Sequence, residues 1–452
     1  VFGNLDLGYK DWLFLNVTGR NDWTSTLNPE NNSFFYPSAG LSFIPTKAFP
    51  ALKGDVLNFM KVSAAYVKVG NDGGIPAYAT QQVYVQANGF PYNGLNSFVA
   101  PSTVYNPLLE PEFTTSMEVG MNFGFFRDRV TLDLAYYNFD TENQITRIGA
   151  SAASGLSGSF VNLGQSKGWG TEVDLGLVPI RTEDFNWNLN VGYSKSYMEV
   201  VKVTDQSDEV SLGGFAGFAE VFAVEGEQYP ILKGTGFARD DQGRVLIDPT
   251  SGNPEQAQGL INFGQTTPEY ILNLSTSFSY KGFTLAATMD YRTGHVFYAE
   301  PKHDMMWSGH LVESAQGGRG AFIFPNSAIE TSEGVYETNT SIPTGGTTDA
   351  GIVNFWGAMQ GLGETAILDA TAFKVRELSL SYAVDPSFLE KTFIQELSIS
   401  ANARNPITVL PAENRGYSDP ESNFTISNAQ GISTIGQYPP TRTFGMGVNL
   451  TF

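Results

Sequence analysis

Cysteine is absent from the 452 residues. Disulfide frameworks, thiolate-bound zinc, iron–sulfur clusters and a thiol nucleophile are thereby excluded. Charge is scarce: Asp, Glu, Lys and Arg make up 16% of the chain, against ~25% in an average soluble domain. Cations are the scarcer sign, with 26 Lys+Arg against 46 Asp+Glu and a formal net charge of −20. Neutralising phosphates needs Lys and Arg, so nucleic acid is excluded as a partner. No apolar run approaches the ~18 residues that suggest a spanning helix. The G-x-S-x-G, H-E-x-x-H, P-loop and Rossmann signatures are all missing, and nothing favours an enzyme.

What is abundant is aromatic residues and glycine. There are 33 Phe, 20 Tyr and 6 Trp, 13% of the chain, together with 48 Gly. Such aromatic content argues against disorder, and the length suits about two to four ordinary domains or one large β architecture.

Apolar residues alternate with hydrophilic ones throughout. Phe185, Trp187, Leu189, Val191 and Tyr193 share one parity; Asn186, Asn188, Asn190, Gly192 and Ser194 share the other. The same period recurs at Leu13–Val17, Val130–Tyr136, Leu272–Tyr280, Phe283–Tyr291, Leu397–Ala401 and Phe444–Phe452. Period two with one apolar face predicts strands. No comparable 3.6-residue period stands out, so the expectation is an all-β chain.

Thirteen strands are predicted. They cover 1–9, 11–20, 35–45, 57–68, 114–125, 130–143, 163–179, 184–200, 268–280, 283–295, 370–384, 394–405 and 440–452. Connections alternate strictly between short (10, 46–56, 126–129, 180–183, 281–282, 385–393) and mostly long (21–34, 69–113, 144–162, 201–267, 296–369, 406–439). That asymmetry is the signature of a transmembrane antiparallel β-barrel with short periplasmic turns and long extracellular loops. Rings flank the tight turns at Tyr9-Lys10-Asp11-Trp12, Phe125-Phe126-Arg127 and Tyr280-Lys281-Gly282-Phe283, as an interfacial aromatic girdle requires. A soluble β-sandwich or β-helix explains rings beside turns but not long loops recurring on one end. Bacterial single-chain barrels have even strand numbers, and the chain opens in mid-alternation. The expectation is that residues 1–452 are the C-terminal portion of a longer barrel.

Several short stretches carry a resemblance. They include Phe35-Tyr36-Pro37-Ser38-Ala39-Gly40, Val67-Lys68-Val69-Gly70-Asn71, Asn106-Pro107-Leu108-Leu109-Glu110 and Gly168-Trp169-Gly170-Thr171-Glu172-Val173. Further along stand Pro268-Glu269-Tyr270, Phe373-Lys374-Val375-Arg376-Glu377-Leu378, Ala403-Arg404-Asn405 and Asp419-Pro420-Glu421. In this order the chain resembles the C-terminal barrel of SusC/RagA-type TonB-dependent outer-membrane transporters over nearly its whole length. Trp169 stands where that family commonly has Lys, and Ala403 where it has Gly.

The resemblance implies a barrel of about 22 strands with a plugged lumen, in a Gram-negative outer membrane. It also implies a SusD-like surface lipoprotein as lid, energisation by TonB, and import of oligosaccharide or peptide. The remaining N-terminal strands, the plug and the TonB box would lie outside this numbering. Two alternatives remain: a siderophore- or cobalamin-type receptor without a lid, and a soluble β-rich carbohydrate-binding protein.

Candidate contacts to ligand or lid are the loop residues Tyr92, Trp307, Phe355, Trp356, Asn414, Tyr417, Asp419 and Glu421. Rings stack on sugars or peptide side chains, while amides and carboxylates fix hydroxyls and amines; the same rings also serve to hold loops together. No cofactor or metal is expected. His295, His303 and His310 read as polar loop residues, and Asp240-Asp241-Gln242-Gly243 with Asp248 reads as a turn rather than an EF-hand calcium loop. Inward faces rich in Asn, Ser, Thr and Gly suggest a wet, weakly ionic lumen, with the negative charge mainly in loops, as at Asp205, Asp208 and Glu209.

Overall fold

In the computed structural model of the chain, all residues are described except 74, 77–79, 82, 150–152, 154, 156–157, 205–206, 216, 346–348 and 426–427. Thirteen long strands pair consecutively in one antiparallel sheet. They are β1 (Phe2–Tyr9), β2 (Leu13–Trp23), β3 (Ser33–Phe43) and β4 (Leu57–Asn71). Next come β5 (Glu112–Phe125), β6 (Val130–Gly149), β7 (Gly158–Arg181) and β8 (Phe185–Lys202). The last five are β9 (Tyr270–Tyr280), β10 (Phe283–Thr293), β11 (Ala372–Ala383), β12 (Glu396–Val409) and β13 (Thr443–Thr451). Each corresponds to one strand expected from alternation. A two-residue strand, Thr103–Val104, adds a short parallel pairing to β7.

The register carries each face across the sheet. On the apolar side Leu5 pairs Val17, Leu15 pairs Leu41, Leu41 pairs Ala64, Ala64 pairs Val119 and Val119 pairs Tyr136. On the hydrophilic side Asp6 pairs Asn16, Asn16 pairs Gly40, Ala65 pairs Glu118 and Glu118 pairs Tyr137. Because side chains alternate with a period of two residues, one register decides the environment of every residue in a strand. Asn16 Nδ2 donates to Asn4 (2.8 Å) and Asp6 (2.6 Å), and Thr18 donates to Asn4 (2.8 Å). Large lumenal side chains lie across glycines: the Tyr137 ring covers Gly170, leaving no room for a Cβ there. The apolar face stays open, with Leu5 53% and Leu380 49% exposed. That is the band a bilayer covers.

The short connections form one rim. Lys281 (φ 44°) and Gly282 (φ 87°) join the paired residues Tyr280 and Phe283, the two positive φ values of a type I′ hairpin. A single helical turn, α1 (Pro45–Ala48), lies in the longest of these connections. Rings cluster along the rim: Tyr9 with Trp12 at 5.2 Å, Trp12 with Phe43 at 5.6 Å, and Phe283 with Tyr382 at 4.3 Å. Lys10 and Lys281 lie over Tyr9 and Tyr280.

The long connections of the opposite rim carry secondary structure of their own. Four strands, Glu209–Phe215, Ala219–Val224, Ile231–Gly234 and Ile261–Gln265, form a separate sheet between β8 and β9. Two helices, α2 (Glu300–Trp307) and α3 (Asp349–Gln360), lie between β10 and β11. Val296–Ala299 pairs with Ile367–Asp369 and, in parallel, with Ile432–Ser433, so two long loops share one small sheet. A largely all-β chain thus carries helical segments that period-two reading passed over. Most of the fully buried side chains belong to this region, among them Val221, Leu232, Ile247, Phe297, Tyr298, Phe355 and Ile432. The barrel wall needs no interior of its own; the loops build one.

A lysine at Val191, which pairs with Leu175 and Leu274 on the apolar face, should destabilise the folded barrel by about 2–4 kcal/mol if near mid-bilayer. The neighbouring Asn190→Lys should cost far less. Urea unfolding of the full-length protein in lipid vesicles measures both.

Candidate functional site at the long-loop end of the lumen

The site begins with a β-bulge in β11. Phe373 and Val375 face the apolar side, as do Leu378, Leu380 and Tyr382, so the parity switches between 375 and 378. Both neighbours shift register there: β10 pairs Thr288 with Glu377 but Met289 with Val375, and β12 pairs Arg404 with Glu377 but Ile407 with Val375. Arg376 is the extra residue. A bulge re-aims a side chain at the point where pairing slips, and here it delivers Arg376 to the same side as Lys374.

These two cations meet the last long loop. Lys374, 3% exposed, donates to both Asp419 oxygens (2.6 and 2.7 Å) and to Glu421 (2.7 Å). The Arg376 guanidinium donates to Glu421 Oε2 at 2.7 Å and to Asp290 Oδ2 at 2.9 Å, with further bonds to both carboxylates. Arg292 completes the group through Asp290 (3.0 Å) and Glu421 (2.9 Å). Three cations and three carboxylates therefore bind the strand ends of β10 and β11 to loop 410–442. Burial alone would raise the Glu421 carboxyl, but hydrogen bonds from Arg376 and Lys374 and their charge hold it down at about 2, from 4.5.

The eight candidate residues separate into distinct surroundings. Tyr417, Asp419 and Glu421 line one cavity of about 700 Å3 between loop 410–442 and the barrel wall. Tyr417 donates to Glu313 (3.2 Å), receives Lys302 over its ring, and packs on the cluster of Phe297, Ala299, Leu368 and Ala370. Two expectations of ligand contact need correction. Phe355 is 1% exposed, enclosed by Phe322 (5.4 Å) and Trp356 (5.1 Å), and works as loop core. Asn414 is fully buried, with neither side-chain amide atom hydrogen-bonded. Trp356 is half-buried against Phe355. Tyr92 is 72% exposed in the separate 83–99 hairpin region. Trp307 ends α2, and its side chain lies outside the described residues.

The other singled-out groups have structural surroundings. His303, in α2, bonds the Gln360 carbonyl (2.9 Å) and sits 4.5 Å from the Phe218 ring. His310 bonds Ser308 (2.9 Å). Burial pushes the His295 imidazole down to about 4. Among the described residues, no three His, Asp or Glu side chains converge as a metal requires. Asp240 accepts from the Gln242 (3.0 Å) and Arg244 (2.9 Å) N–H groups, closing a turn. Glu209 pairs with Lys233; Asp205 lies outside the described residues.

A lipid-facing band, a polar lumen, ring-rich short turns and structured long loops together define an outer-membrane β-barrel. The chain belongs to the TonB dependent receptor-like β-barrel family, whose model matches residues 1–405. It is 23% identical over 482 residues to TonB-dependent receptor P3 of Formosa agariphila, covering 100% of this chain and 45% of that protein. To TonB-dependent receptor SusC of Bacteroides thetaiotaomicron it is 24% identical over 215 residues, covering 46% of this chain and 21% of that one. The RagAB peptide transporter structure shares the fold with TM-score 0.77 at 19% identity, covering 100% of this chain and 47% of its own. The chain spans about half the length of the curated full-coverage relatives.

Lys374→Met would leave the buried Asp419 carboxylate without its cation, a loss of about 3–5 kcal/mol, and should speed proteolysis within loop 410–442. The depressed Glu421 carboxyl adds a pH signature. Its stabilisation is complete above about pH 4.5 and disappears as pH falls through about 2, because the unfolded loop takes up the proton first. Hydrogen exchange across 410–442 at stepped pH measures this; Glu421→Gln should flatten the response.

Proposed function

We infer that the chain is the C-terminal barrel portion of an importer that carries oligopeptides or glycan fragments across the outer membrane. In this reading about 22 strands close the barrel around a plug, and sequence outside this numbering supplies the remaining strands, the plug and the TonB box. TonB energises uptake, and a SusD-like lipoprotein covers the long-loop mouth. The observation that carries the reading is the union of a polar lumen wall with a structured mouth clamped to it by Lys374, Arg376 and Arg292. Family membership and the fold shared with the RagAB peptide transporter support it. An unsatisfied strand edge in lipid is costly, which supports completion of the sheet by further strands.

The test uses the full-length protein purified from its own outer membrane in detergent. The reading predicts that a lipoprotein co-purifies and that growth on an oligopeptide or oligosaccharide mixture is lost when either the receptor or TonB is removed. Uptake of an iron chelate by the receptor alone, with no second subunit, would replace it with the siderophore reading.

A further inference from the structure

The cavity under loop 410–442 has a volume of about 700 Å3, within the ~300–1,000 Å3 of small-ligand sites. Most of the charge that lines it is already committed. Lys374 is occupied by Asp419 and Glu421, and Arg376 is divided between Asp290 and Glu421. On the α2 side, Asp304 stands 3.1 Å from His303 Nδ1.

Arg442 is the exception. It lines the same cavity immediately before β13 and is exposed. Its guanidinium has no hydrogen bond or ion pair among the described residues. The hydroxyls of Thr408, Ser422 and Thr434 also face this space without a protein partner. What the cavity leaves unused is therefore one planar cation and several hydroxyl donors, while Asp419 and Glu421 are saturated by the wall. A guanidinium fork matches the two oxygens of a carboxylate through parallel N–H···O bonds. A neutral hydroxyl offers it little beyond what water already gives. The chain's net charge of −20 repels anions at long range, so an anion is held only in contact with a cation that has no carboxylate of its own. Asp304 keeps that anion away from the α2 side and toward Arg442.

We propose that this cavity is a subsite for a carboxylate carried by the cargo, with Arg442 as its cation. The proposal rests on the importer reading and adds the charge that the cargo presents at this point. An acidic sugar and a peptide carboxylate share this chemistry, and matched probes separate them.

The experiment uses the full-length receptor, with any subunit that co-purifies, and two probe pairs. One is trigalacturonate against its methyl triester; the other is N-acetyl-trialanine against its C-terminal amide. Wild type should bind at least one free acid about tenfold or more tighter than its neutral counterpart, and the acid preferred identifies the source. Arg442→Gln should abolish the preference, Arg442→Lys should keep part of it, and both should leave the melting temperature unchanged. Equal affinity for acid and neutral forms, a preference that survives Arg442→Gln, or no binding of either acid would each overturn the subsite. A fall in melting temperature in Arg442→Gln would also overturn it, by assigning the guanidinium to a partner within the full-length protein. The importer reading is tested separately, by the wild type's co-purification and TonB-dependent growth.

Discussion

The fold depends on one constraint: backbone amides that cross hydrocarbon must find partners in neighbouring strands, because lipid offers none. Once the strands pair, register and period-two alternation send every second side chain to lipid. The chain meets this with apolar rows such as the one that runs from Leu7 through Leu15, Leu41 and Ala64 to Val119. The opposite row is free to be polar. Asn, Ser, Thr and Gly dominate there because water, not packing, is their counterpart.

The same constraint explains where the interior of the protein lies. A wall one sheet thick with lipid on one side gains its burial from the bilayer, so the strands hold few enclosed side chains. The loops at the mouth lack that solvent. They bury Val221, Leu232, Tyr298 and Ile432 against one another, and they require an attachment to the wall. The bulge at Arg376 provides it by turning two nearby cations, Lys374 and Arg376, toward one loop. The attachment is ionic, so its strength depends on every member retaining its partner.

Alternation made all thirteen wall strands legible, because their pattern is local and repeated. The bulge was legible too, in the change from Phe373 and Val375 to Leu378 and Leu380, but a strand read as one unbroken period conceals it. Helix α3 carries a 3.6-residue signal in Ile352, Phe355 and Met359, diluted by Gly351 and Gly357. Asp419 and Glu421 were recognisable as hydrogen-bonding residues, yet their partners sit on β10 and β11, dozens of residues upstream. Pairing at that separation depends on the closed-up fold and leaves no local trace. Phe355 misled for the reverse reason: a ring in a long segment looks exposed until the segment proves to have a core.

The most direct measurement of the central claim exploits the missing cysteine. Single cysteines placed in turn from Phe185 to Tyr193 of the full-length protein in lipid vesicles, each carrying a nitroxide, report contact with oxygen dissolved in the bilayer. Odd positions should show high oxygen accessibility and even positions low, alternating through all nine. Odd positions shielded from both oxygen and an aqueous relaxation reagent would mean that these rings lie between stacked sheets, and the membrane-barrel account would be contradicted.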